Sequence, residues 1–142
     1  MDTDILRAKL ESLARCVKRI EGRRPDSAAA LAGDLDAQDI ISLNLERAVQ
    51  LCVGAGSHLL LDYDIPSPDS MAGVFLALGK LELLSGPLAE RMAKAAGFRN
   101  IAVHEYQQVD WNIVYAIVTT RLGDFREFAS AVRARLDEPS SD

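Results

Sequence analysis

The stretch DAQDIISLNLERAVQLCVGAGSHLLLD, residues 36–62, predicts the longest helix of the chain. Its apolar residues recur at steps of four, three, four, three and four, as on one face of an amphipathic helix: Ile41, Leu45, Ala48, Cys52, Ala55 and Leu59. A second apolar set lies off that face and consists of Ile40, Leu43 and Leu51. A helix with so wide an apolar arc packs against more than one neighbour, and a second subunit is one candidate for such a neighbour.

Other amphipathic segments flank this helix on both sides. The first has its apolar residues at the same spacing and ends at Arg23-Arg24-Pro25, because proline disfavours helical backbone in the residue before it. Residues 25–35 form a connection, in which a short helical turn after Ser27 ends at Gly33. Further helices are predicted to start at Ser70, Ser85 and Asp110.

These segments predict an all-α fold. The prolines at 66 and 68 make residues 64–70 a loop, and the helix that starts at Asp110 is expected to continue unbroken to Leu136. No run of alternating apolar and polar residues indicates a strand. We therefore expect an up-down bundle of four or five helices with one broken element near residues 70–95. Residues 1–137 are predicted to be one domain, and residues 138–142 a polar C-terminal tail.

The composition excludes several classes of protein. With 142 residues, of which 49% are apolar and 26% charged, the chain has the size and balance of one globular domain. Its net charge of −5 argues against a general nucleic-acid coat protein, although it does not exclude a small basic cleft. The two cysteines, Cys16 and Cys52, are isolated in sequence and are predicted to be reduced thiols of the core.

No sequence motif points to a membrane, a metal or a cofactor. The first residues lack the pattern of a signal peptide, and no apolar run reaches the roughly 18 residues of a membrane span, so we expect a soluble, cytoplasmic protein. Phosphate-binding loops, the H-E-x-x-H pattern and clusters of Cys and His are absent from the sequence. We expect neither a metal nor a cofactor, and we interpret His58 as a helix-terminus residue.

The segment GFRNIAVHEY, residues 97–106, gathers a guanidinium, an amide, an imidazole, a carboxylate and a phenol. Asn100 and His104 are four residues apart, so they share a face of a helix. Arg99 and His104 are separated by about 500° of helical rotation and do not share one. Two explanations stay open: the helix breaks before His104, or Arg99 reaches round with its long side chain.

The R-x-x-x-x-H-x-Y spacing, with asparagine directly after the arginine, resembles the HEPN superfamily of nucleic-acid-processing proteins. The string RNIAVHEY is similar to the HepT-type toxins of prokaryotic toxin–antitoxin pairs. The resemblance extends to residues 38–48 of the long helix, to the proline-rich loop at 66–68 and to residues 110–115, so it covers essentially the whole chain.

The resemblance implies an all-α homodimer in which two copies of the motif meet in a cleft and cleave RNA without a metal ion. It implies that Arg99 and His104 are the catalytic pair. From their places in the sequence, we assign supporting positions to Asn100, which shares a helix face with His104, and to Asp39 on the long helix. The resemblance further implies that Tyr106 receives AMP from a partner nucleotidyltransferase, which is the antitoxin of a type VII-like pair.

Metal-free RNA cleavage also has its own chemical requirements. The 2′-hydroxyl needs a base to take its proton, the leaving oxygen needs an acid, and the charged phosphate needs a cation. Histidine titrates near neutrality and serves as base or acid, and arginine offers a planar fork for phosphate. One motif contains a single histidine, and two motifs across a two-fold axis supply both groups.

The sequence is also compatible with several alternatives. The domain is alternatively a non-catalytic nucleotide-binding or accessory subunit of a nucleotidyltransferase, or an inert dimeric adaptor. In these alternatives Arg99 forms an ion pair with an acidic residue and His104 caps a helix. Tyr106 then packs against Phe98 or Trp111. Trp111 and Tyr115 either stack on bases or pack in the core. The polar residues of the long helix either line the cleft or form a solvated edge: Asp39, Asn44 and Arg47.

Overall fold

The structure, a computed structural model, describes residues 2–104 and 109–138, and over 98–104 it describes the backbone alone. Seven helices lie within these residues: α1 (Thr3–Arg23), α2 (Ala28–Ala32), α3 (Leu35–Leu60), α4 (Met71–Lys80), α5 (Gly86–His104), α6 (Trp111–Thr120) and α7 (Leu122–Leu136). The described residues contain no strand, which confirms the predicted all-α class.

Side-chain caps explain where most of these helices begin. The carboxylates of Asp2, Asp34 and Asp110 accept hydrogen bonds from the first backbone N–H groups of α1, α3 and α6. Ser27 and Ser70 do the same with their hydroxyl oxygens at α2 and α4. The first N–H groups of a helix have no partner within the helix, so each of these caps satisfies a donor that the helix itself leaves unpaired.

The core forms where the apolar faces of the helices meet. α1 packs along α3, α4 packs against α5, and α7 reaches both α1 and α5. The predicted apolar faces of α1 and α3 are buried throughout. The rings of Phe75 on α4 and Phe128 on α7 meet edge to face, with centroids 5.9 Å apart and planes at 87°. Such a pair contributes about 0.5–1.5 kcal/mol beyond the area it buries.

Two glycines allow neighbouring helices to approach closely. A Cβ atom at Gly56 on α3 would lie 2.8 Å from a methyl carbon of Val74 on α4. A Cβ atom at Gly79 on α4 would lie 2.7 Å from the Cβ atom of Ala89 on α5. Both contacts are too short for real carbon atoms, so glycine sets the distance between these helices at both crossings.

The expected four or five helices become seven because one connection is helical and one predicted helix is broken. The short turn after Ser27 forms α2, and Gln38 holds its end by donating Nε2 to the carbonyl oxygens of Leu31 and Ala32 at 2.9 and 3.0 Å. The unbroken helix expected from Asp110 to Leu136 is wrong, because the chain leaves helical geometry at Arg121, between α6 and α7.

Two threonines explain the break at Arg121. The hydroxyls of Thr119 and Thr120 donate to the carbonyl oxygens of Tyr115 and Ala116, each at 2.6 Å. Such bonds to the residue four positions back compete with the backbone ladder and bend helices. The apolar spacing continues across the break, so the sequence pattern does not show it. The domain bounds stay a prediction, and residues 139–142 of the expected tail lie outside the described residues.

Candidate functional site

The motif lies at the end of α5. Ser85 accepts a hydrogen bond from Leu88 N–H at 3.2 Å at the start of this helix, and α5 then continues to His104. Arg99 and Asn100 lie on its last turns with His104, where only the backbone is described. Tyr106 lies outside the described residues. The proposed catalytic pair and the proposed modification site therefore stay predictions.

The backbone of α5 removes one of the two explanations for the motif spacing. The helix is continuous through residues 99–104, so it does not break before His104. Positions 99 and 104 of a continuous helix are about 140° apart around its axis and about 7.5 Å apart along it. The remaining explanation is that the long side chain of the arginine covers this separation.

A cavity of about 260 Å³ opens beside α5, one turn before the motif. Leu45 and Val49 of α3, Met92 of α5 and Phe125 of α7 form apolar parts of its wall. Arg91 at its rim donates Nε to Asp124 at 2.9 Å and Nη2 to Glu127 at 3.1 Å. Because Nε and Nη2 each donate to a carboxylate of α7, Arg91 joins α5 to α7.

A larger groove of about 780 Å³ runs between α1 and α3. Four cationic side chains line it, and the carboxylate of Glu46 lies among them: Lys9, Arg15, Arg19 and Arg47. A second cavity of about 470 Å³ shares Arg19 with the groove and is lined also by Arg23, Asp36 and Asp39. The groove is thus rich in positive charge, whereas the second cavity is lined by two cations and two carboxylates.

The polar residues predicted on the long helix have different surroundings. Asn44 is buried and donates Nδ2 to the carbonyl oxygen of Ile40 at 2.8 Å, so its amide satisfies its own helix. Asp39 and Arg47 are exposed at the edge formed by α3. The solvated-edge interpretation therefore fits Asp39, and nothing in the described part of the chain tests its supporting role.

The two thiols lie side by side in the core under the groove. Burial raises the pKa of Cys52 well above its usual range, and the neighbouring Cys16 raises it further. Burial also raises the pKa of Cys16, but the guanidiniums of Arg47, Arg15 and Arg19 oppose that rise. The prediction of core cysteines is confirmed, and the positive charge of the groove affects the pKa of Cys16.

Other residues singled out in the sequence have structural surroundings. His58 lies in the last turn of α3, where its Nε2 accepts the backbone N–H of Asp2 at 3.3 Å and joins the start of α1 to the end of α3. Trp111 and Tyr115 pack against the core, and the Tyr115 hydroxyl donates to the carbonyl oxygen of Pro25 at 2.9 Å. The core-packing interpretation of these two aromatic residues is therefore confirmed.

Sequence patterns alone did not reveal the groove. Arg15 and Arg19 are four residues apart on α1 and lie off its apolar face, which marks them as neighbours on one surface. Arg47 belongs to another helix, and only the packing of α1 on α3 brings it to the same groove.

Two properties define the class of protein: a bundle of helices, and a long helix that carries an R-x-x-x-x-H spacing at its end. The model for the HepT-like family, described as ribonuclease HepT-like, matches residues 11–132, and the chain belongs to this family. No helix within the described residues combines the length and apolar character needed to cross a membrane.

Named relatives and solved structures share both sequence and fold with the chain. An mRNA nuclease HepT from Shewanella oneidensis is 33% identical over 131 residues, which cover 92% of this chain and 98% of the relative. A tRNA nuclease HepT from Aphanizomenon flos-aquae is 24% identical, over 93% of this chain and 90% of the relative.

Among solved structures, a tri-AMPylated Shewanella oneidensis HEPN toxin in complex with MNT antitoxin matches with a TM-score of 0.86. It is 33% identical to this chain, and the match covers 94% of this chain and 99% of that one. A toxin–antitoxin structure with AMP-PNP also matches with a TM-score of 0.86, at 32% identity over 92% of this chain and 98% of that one.

Proposed function

We propose that this chain is the toxin of a toxin–antitoxin pair, an endoribonuclease whose catalytic residues are Arg99 and His104. Membership of the HepT-like ribonuclease family over residues 11–132 carries this proposal. The continuous α5 supports it, because one helix then holds both motif positions in a fixed relation. The nuclease names of the two relatives support RNA as the substrate.

The chemistry follows from the side chains of the motif. A neutral imidazole of His104 takes the proton of the RNA 2′-hydroxyl, and the 2′-oxygen attacks the neighbouring phosphorus. The bond from phosphorus to the 5′-oxygen breaks, and a second, protonated imidazole gives its proton to that oxygen. This leaves a cyclic phosphate and a free 5′-hydroxyl. The guanidinium of Arg99 binds the phosphate oxygens while their negative charge increases.

The need for a base and an acid requires two histidines, whereas each chain has one motif. A homodimer with two-fold symmetry places two copies of the motif in one cleft and supplies both groups. In this arrangement Asn100 and Asp39 have supporting positions.

Control by the antitoxin is part of the same proposal. The Shewanella HEPN toxin is tri-AMPylated in its complex with MNT antitoxin, which supports a nucleotidyltransferase as the partner of this chain. We assign the modification to Tyr106, two residues beyond His104. The added phosphate brings negative charge close to the motif, where it competes with RNA for Arg99 and repels the substrate.

Removing either motif side chain tests the catalytic assignment. Arg99→Ala and His104→Ala are each expected to lower the RNA cleavage rate by about 10²–10⁴, because a positioned acid–base group contributes that much. The measurement is cleavage of labelled RNA with and without a chelator, alongside growth of cells that express each variant. The helix content should stay at the wild-type value.

Different outcomes separate the alternatives. Cleavage that survives His104→Ala at a near-normal rate contradicts the role of His104, and cleavage that stops with a chelator contradicts the metal-free chemistry. A wild-type protein that neither arrests growth nor cleaves RNA is an accessory subunit or an adaptor.

Tyr106→Phe tests the proposed control, because it removes the acceptor oxygen and keeps the ring. Mass spectrometry of wild-type protein co-expressed with its nucleotidyltransferase is expected to show added nucleotide mass on Tyr106. The Tyr106→Phe variant should gain no mass and stay toxic in the presence of the partner. If the partner neutralises this variant fully, control proceeds by another route, such as occlusion of the cleft.

A further inference from the structure

Positive charge is concentrated in the groove between α1 and α3, although the chain as a whole carries a net charge of −5. Lys9, Arg15, Arg19 and Arg47 line the groove, and Glu46 supplies its carboxylate. A surface patch whose sign is opposite to that of the whole protein attracts ligands that the rest of the surface repels.

The groove cations keep their charge available to a ligand. Within the described part of the chain, none of the four forms an ion pair with a carboxylate, and Arg15 donates only to the hydroxyl oxygen of Ser12 at 2.9 Å. Elsewhere Arg7, Arg91, Arg126 and Arg135 each bind a carboxylate. Guanidinium groups without such a partner are suited to bind phosphate through two parallel hydrogen bonds.

The three arginines converge across two helices. Arg15 and Arg19 project from successive turns of α1, and Arg47 comes from α3 on the other side of the groove. All three act on the thiol of Cys16 between them, where they oppose the rise of its pKa that burial causes. The three arginines are therefore close enough to act on the same group and form one cationic cluster.

The described residues that line the groove include no aromatic side chain, so it offers no platform on which bases stack. Its apolar part consists of Leu43 and Leu51, which lie between the cationic groups. Such a lining is suited to the sugar–phosphate backbone of a nucleic acid and carries little sequence information.

We propose that the α1–α3 groove binds the backbone phosphates of single-stranded RNA as a second contact site, apart from the motif at the end of α5. This inference rests on the proposed ribonuclease function. Leu45 and Val49 of α3 line the cavity that lies beside α5 one turn before the motif, while Arg47 lines the groove, so α3 lies between that cavity and the groove. An RNA strand that crosses α3 from that cavity would next contact the cations of the groove.

The test removes two charges from the groove and leaves the motif unchanged. Arg15→Gln combined with Arg19→Gln is compared with Lys18→Gln combined with Arg133→Gln, which removes two exposed cations from another cavity, between α1 and α7. The ligand is a short labelled 2′-O-methyl RNA, which lacks the nucleophile and stays uncut. Its affinity is measured by fluorescence anisotropy over a range of salt concentrations.

The groove variant is expected to bind this RNA about tenfold more weakly near 0.1 M salt, with the slope of log affinity against log salt smaller by about 1.4 for two lost phosphate contacts. The control variant should keep the wild-type affinity and slope. Equal losses in both variants, or no loss in the groove variant, would overturn the proposal.

Parallel measurements separate this inference from the proposed function. If wild-type protein cleaves ordinary RNA and the groove variant binds 2′-O-methyl RNA as tightly as wild type, only the groove site is refuted. Protein that neither cleaves nor binds RNA refutes both. If the groove variant binds RNA normally but no longer binds the nucleotidyltransferase partner, the groove is a site for that partner. If it binds RNA normally but light scattering shows a changed mass, the groove is an interface with a second copy of the chain.

Discussion

Arg91 on α5 and Arg19 on α1 carry the same guanidinium in two different surroundings. Arg91 binds Asp124 and Glu127, and it is about two-thirds buried, with 31% of its side chain exposed. Arg19 is exposed at the junction of two cavities and has no carboxylate partner within the described residues. The role of an arginine in this fold depends on which helices meet around it. At the α5–α7 contact the charge joins helices, and in the α1–α3 groove it is available to a ligand.

The same substitution at both positions should change the stability of the protein by different amounts. Arg91→Gln is expected to lower the free energy of unfolding by about 1–2 kcal/mol, because the partly buried Asp124 loses a charge-assisted hydrogen bond. Arg19→Gln should change it by less than about 0.5 kcal/mol, as for an exposed residue without such a bond. Urea denaturation of both variants measures the difference.

RNA affinity should show the opposite order. Arg19→Gln weakens the binding of 2′-O-methyl RNA, whereas Arg91→Gln leaves it at the wild-type value at temperatures where the variant is folded. If Arg19→Gln lowers stability as much as Arg91→Gln does, the distinction between the two surroundings is wrong.

A smaller effect of the groove cations is expected on the reactivity of the Cys16 thiol. Burial holds the pKa of Cys16 above its ordinary value of 9.0, and Arg47 is the cation that opposes this rise most strongly. Arg47→Gln removes that opposition, so the pKa of Cys16 should rise further and less thiolate should be present at a given alkaline pH. The rate of Cys16 alkylation, followed from pH 8 to pH 10 by peptide mass spectrometry, should then fall.

The sign of the linked stability change follows from the same pKa. A thiol whose pKa is raised in the folded state contributes stability that is fully present below the pKa of the unfolded chain and is lost as the pH rises through the folded pKa. Arg133→Gln, outside the groove, is the control and should leave the alkylation profile unchanged. An equal shift in both variants would show that net charge, and not the groove, controls Cys16.

Much of the fold was predictable because its determinants are local. The apolar spacing along residues 36–62 and the caps at Asp110 and Ser70 act within a few residues of chain, and the structure confirms all three. The break at Arg121 was not predictable from spacing, because the apolar pattern continues across it. There the hydroxyls of two threonines compete with the backbone, and that competition leaves no mark in the periodicity.

The candidate site divides in the same way. The order of residues from Arg99 to Tyr106 identifies the motif, since its members are close in sequence and one continuous helix carries Arg99 and His104. The groove has no such signature, because Arg19 and Arg47 become neighbours only when α1 packs along α3. Helix starts, apolar faces and the motif thus depend on interactions within a few turns of chain, which amino-acid order specifies directly. Which arginines bind a carboxylate, and which line the groove, depends on contacts between distant segments and was determined when the helices packed.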